Sequence, residues 1–198
     1  MVAAAVLKDE GFQVELLMID YGCRATWKEH KALKDCAKAM GMPHHIAEVA
    51  IGGVVTSGLI QGRRPAKELS GAVSRVNARN LILISLAAGY CMTNGIPYIG
   101  HGNIAHGGNP DNYPEFTQAF NNLLPFACGL ECPQILMPIN YLDKWEVVKA
   151  GKKLNVPMEL TWSCYLSGET HCGECASCVP RKKAFAIAGM VDPVPYAK

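Results

Sequence analysis

Four of the nine cysteines gather near the end of this 198-residue chain: Cys164, then Cys172, Cys175 and Cys178 in the run THCGECASC. Their spacing lets four sulfurs converge on one metal ion. A C-x-x-C step turns two thiolates to the same side of a tight turn, and Gly173 relieves the backbone within it. With Cys164 as the fourth ligand no coordination position stays open, which is the donor set of structural rather than catalytic zinc. An iron–sulfur cluster is the rival, because C-x-x-C-x-x-C followed closely by Pro180 goes partway to a ferredoxin-type run. Disulfides fit less well, since the cysteine total is odd and nothing at the N-terminus reads as a secretory signal. A cytoplasmic location is therefore expected. The other cysteines, Cys23, Cys36, Cys91, Cys128 and Cys132, are scattered singly and read as small buried hydrophobes. His171 adjoins Cys172, but four cysteines already complete a tetrahedral site.

These residues need a frame. At 49% hydrophobic and 18% charged the chain has the composition of a folded protein, long enough for one substantial core with a metal-bound appendix. No apolar run reaches the roughly 18–20 residues that span a bilayer, so no membrane segment is expected. A net charge of +2 argues against nonspecific wrapping by nucleic acid. The one basic cluster, Arg181-Lys182-Lys183, reads as a solvated helix face.

Apolar runs of strand length alternate with segments of helical period, which predicts an α/β fold with a parallel sheet covered by helices. A helix over residues 1–10 stops at Gly11, and a strand over 14–19 ends at Asp20. A helix from about Trp27 to Met40 closes at Gly41-Met42-Pro43, and a short strand follows over 45–49. The next helix, from about 77 to 93, is apolar almost all round and is expected to be sandwiched. Residues 97–100 read as a strand, Pro114 opens a helix, residues 135–139 read as a strand, and a helix starts near Asp143.

Two stretches are irregular. Residues 51–75 are rich in glycine and longer than an ordinary connection, a candidate lid or disordered loop. Residues 100–112, GHGNIAHGGNPDN, follow a predicted strand and precede a helix, where open α/β sheets bind ligands. A flexible turn explains that segment equally well.

The blocks Asp20-Tyr21-Gly22, Val76-Asn77-Ala78-Arg79-Asn80, Pro110-Asp111 with Pro114-Glu115-Phe116, Leu142-Asp143-Lys144 and Glu159-Leu160-Thr161-Trp162-Ser163-Cys164-Tyr165 through Cys178 occur in one order along essentially the whole chain. In that order they resemble the 7-cyano-7-deazaguanine synthase (QueC, ExsB) family. The ELTWSCY block joined to the four-cysteine run is the specific part.

The resemblance implies a doubly wound, mostly parallel sheet of the adenine-nucleotide α-hydrolase (PP-loop) type. Residues 1–160 would form the nucleotide-handling domain and 161–198 a zinc-binding C-terminal segment. It implies ligation of 7-carboxy-7-deazaguanine with ammonia at the expense of ATP, giving the nitrile precursor of queuosine and archaeosine. ATP must transfer AMP to the unreactive carboxylate before ammonia can attack, and the resulting amide must be activated again before it loses the elements of water. Each transfer needs Mg²⁺ and cationic or N–H donors around the phosphates.

Arg79, at a predicted helix start, is a candidate for meeting phosphate charge, or else a surface ion-pair partner. Asn80 stands beside it and Lys144 is similarly placed. Asp20, at a strand's carboxyl end, is a candidate for nucleotide or metal contact or a simple turn cap. Asp111, Glu115 and Trp162 are candidate substrate contacts, although capping also accounts for the two carboxylates. Small-molecule substrates are the expected partners, with no direct nucleic-acid contact; the long apolar helix leaves room for a homodimer contact.

The chain departs from the family pattern in three places. Members open with a strand and an S-G-G-x-D-S loop around pyrophosphate, whereas MVAAAVLKDEGF matches the helix after that loop. The expectation is a chain truncated at an internal methionine, with ATP turnover impaired for want of the phosphate cradle. Cys23 and Ala25 stand where glutamine and histidine are expected, and Ala105 and His106 replace an aspartate–aromatic pair. His101 and His106 read as solvent contacts. Two other classes stay open: a PP-loop ligase acting on tRNA, and a noncatalytic relative stabilised by zinc.

Overall fold

Strands and helices alternate as the apolar runs predict. The computed structural model describes residues 1–60, 64–105 and 109–197. In chain order the elements are α1 (Val2–Asp9), β1 (Leu16–Asp20), α2 (Thr26–Met40), β2 (His44–Glu48), α3 (Arg79–Asn94), β3 (Tyr98–Gly100), α4 (Pro114–Cys128), β4 (Gln134–Leu136), α5 (Lys144–Lys153) and α6 (Cys178–Ile187). Among the described residues the strands form two parallel pairs, β1 with β2 and β3 with β4. No helix among them is long and apolar enough to cross a membrane.

The chain divides into two units, Met1–Gln13 with Ala78–Asp143 and Val14–Asn77 with Lys144–Lys198. In the first, β3 and β4 pair with Ile99 opposite Ile135. Ile84, Ala88 and Cys91 of α3, at helical spacing, and Phe120 and Leu124 of α4 close over those two strand residues as one buried cluster. α3 is not sandwiched, however: Leu81 and Leu86 are 47% and 38% exposed. Only its 80–84–88–91 stripe is buried, so an apolar composition all round did not mean cover all round. α4 likewise leaves Leu123 and Phe126 in solvent, with Leu130 just beyond its end.

In the second unit β1 pairs with β2 in the register Leu16 to His44 through Asp20 to Glu48. α2 ends on Gly41, whose left-handed backbone (φ 60°) returns two N–H groups to the last turn. α5 and α6 pack through Val148, Ala184 and Phe185.

The glycine-rich stretch after β2 is not a disordered loop where the structure describes it. Gln61, Gly62 and Arg63 lie outside the described residues, but Ile51, Leu59, Leu69 and Val76 on either side bury one another in a small core. Two short 3₁₀ turns, Ala66–Glu68 and Gly71–Ser74, carry the backbone between them. Four well-spaced aliphatics therefore outweigh the glycines, one of which is required by packing. A Cβ on Gly58 would lie 2.8 Å from the Val73 carbonyl oxygen and 2.9 Å from Val73 Cγ1. Gly58→Ala is expected to destabilise the protein by about 1–3 kcal/mol, measured by urea unfolding, because backbone must shift to admit the methyl.

Candidate metal centre and polar cluster

The segment from Thr161 to Cys178 is short of regular structure, so what holds it is side-chain and sulfur bonding. The Sγ atoms of Cys164, Cys172, Cys175 and Cys178 all lie within 4.8 Å of one another, and those of Cys172 and Cys178 are 3.9 Å apart. Four thiolates about 2.3 Å from one tetrahedral ion would stand about 3.8 Å apart, which the Cys172–Cys178 pair matches, and small movements would bring the others round a single zinc-sized cation. Cys164, Cys175 and Cys178 are fully enclosed, and all nine cysteines of the chain are free thiols.

Backbone N–H groups point at the sulfurs as well. Leu166 and Cys172 donate to Cys164 Sγ at 3.3 and 3.4 Å, and Cys175 donates to Cys172 Sγ at 3.4 Å. Cys178 is the first residue of α6, where the helix dipole favours a thiolate. Hydrogen bonds from Cys164 and Cys178 hold the Cys175 thiol far below its ordinary value. The same sharing pushes Cys164 up to about 11 and Cys178 higher still. Crowded thiolates repel one another, and a bound dication is what lets several of them ionise together.

His171 is not a competing ligand. Its Nε2 accepts a hydrogen bond from the Ser163 N–H at 3.1 Å, and its ring lies 4.2 Å from that of Trp162. Burial, then the nearby Arg181 charge, push the imidazole down to about 4, so it is neutral at physiological pH. Trp162 braces the same segment, its Nε1 donating to the carbonyls of Cys164 and Leu166 at 2.9 and 3.2 Å. Lys28 of α2 sits over its ring at 4.9 Å. Ala66, from the stretch read as a candidate lid, is buried against the cysteines.

Arg181 overturns the reading of the basic triplet as a solvated face: Lys182 and Lys183 are exposed, but Arg181 is 5% exposed. Its Nε and Nη2 grip the two oxygens of Asp192 at 2.9 and 3.0 Å. Nη1 donates to Thr161 Oγ1 and Ser163 Oγ at 2.7 and 3.2 Å, and Nη2 also donates to the Met158 carbonyl at 3.1 Å. A guanidinium has five N–H donors, and here each has an acceptor. Sequence reasoning missed this centre because a charged triplet gives no sign of which member faces inward; its three-residue offset from Cys178 is the one available hint.

The other candidates fall within one unit or the other. In the second unit Asp20 ends β1 and makes a tight set of contacts. Its Oδ1 accepts from the Gly22 N–H at 2.8 Å and the Thr26 hydroxyl at 2.9 Å, while Oδ2 faces His30 Nε2 at 2.9 Å. Thr26 and His30, four apart on α2, were missed, although that spacing puts both on the face that meets a strand end. Cys23, which stands at a departure from the family pattern, donates to Glu29 Oε2 at 3.4 Å. Lys144 is exposed at the first position of α5.

In the first unit Arg79 and Asn80 open α3 next to Ala78, whose left-handed backbone (φ 55°) is unusual for alanine. Asp111 caps this end, its Oδ2 accepting from the Asn80 N–H at 3.3 Å. The Asn80 side chain returns two bonds, to the Asp111 carbonyl at 3.2 Å and Asn112 Oδ1 at 3.0 Å. Asn103 and Asn140 both donate to the Asn112 carbonyl at 2.7 Å. Three buried asparagines thus fasten the segment after β3, which is no free turn where it is described; His106 lies outside the described residues. His101 is partly buried rather than a solvent contact, and burial lowers its imidazole below the ordinary value. Glu115 is exposed in the first turn of α4. Asn80→Ala is expected to cost about 1–3 kcal/mol in thermal or urea unfolding, since it strands the carbonyl and amide partners it satisfies.

Comparison with known proteins adds a family. The model described as "Queuosine biosynthesis protein QueC" matches residues 1–189. The 7-cyano-7-deazaguanine synthase of Thermoplasma volcanium is 37% identical over 201 residues, spanning 96% of this chain and 83% of the relative. That of Methanothrix thermoacetophila is 34% identical over 212 residues, spanning 98% and 92%. The synthase of Sulfolobus acidocaldarius is 35% identical over 207 residues, but the chain spans only 45% of that relative's length.

Proposed function

The chain belongs to the QueC family of queuosine biosynthesis proteins, and from that premise we propose that it serves the ATP-dependent conversion of 7-carboxy-7-deazaguanine and ammonia into 7-cyano-7-deazaguanine. The observation that carries the reading is that relatives so named align with 95% or more of this chain at a third or more of its residues. In this reading the fold is the doubly wound, mostly parallel PP-loop type, residues 1–160 handle the nucleotide and residues 161–198 are the metal-bound segment. Assembly as a homodimer belongs to it too, with exposed apolar groups such as Leu123 and Phe126 as surface for it.

Zinc is the proposed metal. The supporting observations are four sulfurs within 4.8 Å of one another, three of them enclosed, and the N–H groups aimed at them. Cys164, Cys172, Cys175 and Cys178 would hold it, and its part is to pin this segment rather than to react. ATP is the cosubstrate, with Mg²⁺ screening its phosphates.

Arg79 is assigned to charge developing on leaving pyrophosphate, since the N-terminus of α3 adds its dipole there. Asn80 and Asp111 set the position of that terminus through their mutual bonds. Asp20 is assigned to nucleotide or Mg²⁺ contact at the end of β1, oriented by Thr26 and His30. Lys144, Glu115 and Trp162 remain assigned to phosphate and substrate binding.

The test supplies 7-carboxy-7-deazaguanine, ATP, Mg²⁺ and ammonium, and follows the nitrile and AMP by mass spectrometry. It is run on this chain beside an active relative. Nitrile from this chain supports the assignment; none, where the relative forms it, refutes it.

A further inference from the structure

Residues 192–197 lie across the cysteine segment. Tyr196 forms a parallel bridge with His171: the His171 N–H donates to the Pro195 carbonyl at 3.2 Å, and the Ala197 N–H donates to the His171 carbonyl at 2.8 Å. Lys182 sits over the Tyr196 ring at 5.3 Å, and the His171 and Tyr196 rings are 5.6 Å apart. The Tyr196 hydroxyl donates to Asp192 Oδ2 at 2.6 Å, and the Val194 N–H donates to Asp192 Oδ1 at 3.3 Å. Asp192 is the carboxylate that Arg181 grips with two bonds.

These bonds converge on the backbone that carries the sulfurs. Arg181 lies one helical turn after Cys178 and bonds Thr161 and Ser163, just before Cys164. The tail itself pairs with His171, the residue before Cys172. One short stretch, stiffened by Pro193 and Pro195 and anchored by the buried Val194, therefore ties together the arms bearing Cys164, Cys172 and Cys178. None of its side chains is a ligand.

We propose that residues 192–197 are a clasp that sets how slowly the metal leaves. A metal held by four cysteines escapes by sequential detachment of sulfurs, each of which needs its arm of backbone to swing away. With the clasp in place the arms cannot separate; with it released each sulfur detaches alone. Asp192 and Tyr196 are positioning residues, acting on the ion through the backbone of its ligands. The inference rests on the zinc reading above and extends it to residues outside the ligand set.

The experiment uses the full chain loaded with zinc. Zinc per chain is measured first, and then the rate of its transfer to an excess of a chromophoric chelator. The variants are Tyr196→Phe, Asp192→Asn and a deletion of residues 194–198. Ile84→Ala, a cavity in the core of the other unit, controls for lowered stability at large. Tyr196→Phe removes a single hydroxyl and keeps the test open if the harsher changes do not fold.

The expected result is one zinc in every variant, release at least about 10-fold faster in the clasp variants, and a wild-type rate in Ile84→Ala. Wild-type release rates in the clasp variants overturn the clasp and leave the metal assignment standing. Equal acceleration by Ile84→Ala also overturns it, since metal loss then merely follows general destabilisation. A wild-type chain that takes up no zinc overturns both.

Discussion

Cys175→Ser should lower the melting temperature by at least about 10 °C, the largest effect expected of any single substitution in this chain. Cys175 is fully enclosed, and its sulfur lies within 4.8 Å of the other three. Serine keeps the volume but loses the soft thiolate donor, leaving three sulfurs around a hydroxyl that zinc binds poorly. Between Thr161 and Cys178 there is no helix or strand pairing beyond the bridge to the tail, so once the ion is lost this segment is left to side-chain bonds such as those of Trp162, His171 and Arg181. Loss of a metal is among the few causes of stability changes beyond about 4–5 kcal/mol, and at this chain length each kcal/mol moves the melting temperature by about 2–4 °C. Scanning calorimetry with and without a strong chelator checks it. The chelator should bring wild type down to the variant and leave the variant unmoved; a variant melting within a few degrees of wild type would contradict the account.

Asp192→Ala comes next, at about 3–5 kcal/mol, because it leaves the buried Arg181 guanidinium with two of its five donors unmatched. The pH dependence gives a sharper check. Burial alone would raise the Asp192 carboxyl, but hydrogen bonds from Arg181 and Tyr196 and the guanidinium charge outweigh it and hold the group below its ordinary 3.8. A carboxyl depressed in the folded state contributes stability that is fully present above the unfolded value and is lost as pH falls through the folded one. The advantage of wild type over Asp192→Asn should therefore be flat from neutral pH down to about 5 and shrink below about 4. Urea unfolding across that range measures it. An advantage unchanged to pH 2, or one that fades between pH 8 and 6, would show that the carboxylate is not what holds Arg181.

Much of this was legible in the residues. The strand and helix sequence followed from apolar periodicity, and Gly41 ends its helix as a left-handed cap. The metal centre was the clearest, because four sulfurs at fixed short intervals have few ways to be satisfied apart from one ion. What stayed hidden depends on contacts distant in the chain. The stretch after β2 looked like a lid, since glycines are visible in sequence while the mutual burial of Ile51, Leu59, Leu69 and Val76 is not. α3 looked sandwiched because hydrophobicity reports what a residue tolerates rather than what covers it. Arg181 looked solvated because its partners are Thr161 and Ser163, some twenty residues back, and Asp192, in a tail without periodicity. Asp111 and Asn80 were both singled out, but the bond that joins them spans the whole of α3 and β3.

What occupies the sulfur cluster decides the zinc reading on which the metal-bound segment rests. X-ray absorption at the metal edge, with elemental analysis of the purified full chain, should find one zinc per chain in a shell of four sulfurs at about 2.3 Å. Stoichiometric iron with visible charge-transfer absorbance, or a nitrogen or oxygen in place of one sulfur, would contradict it.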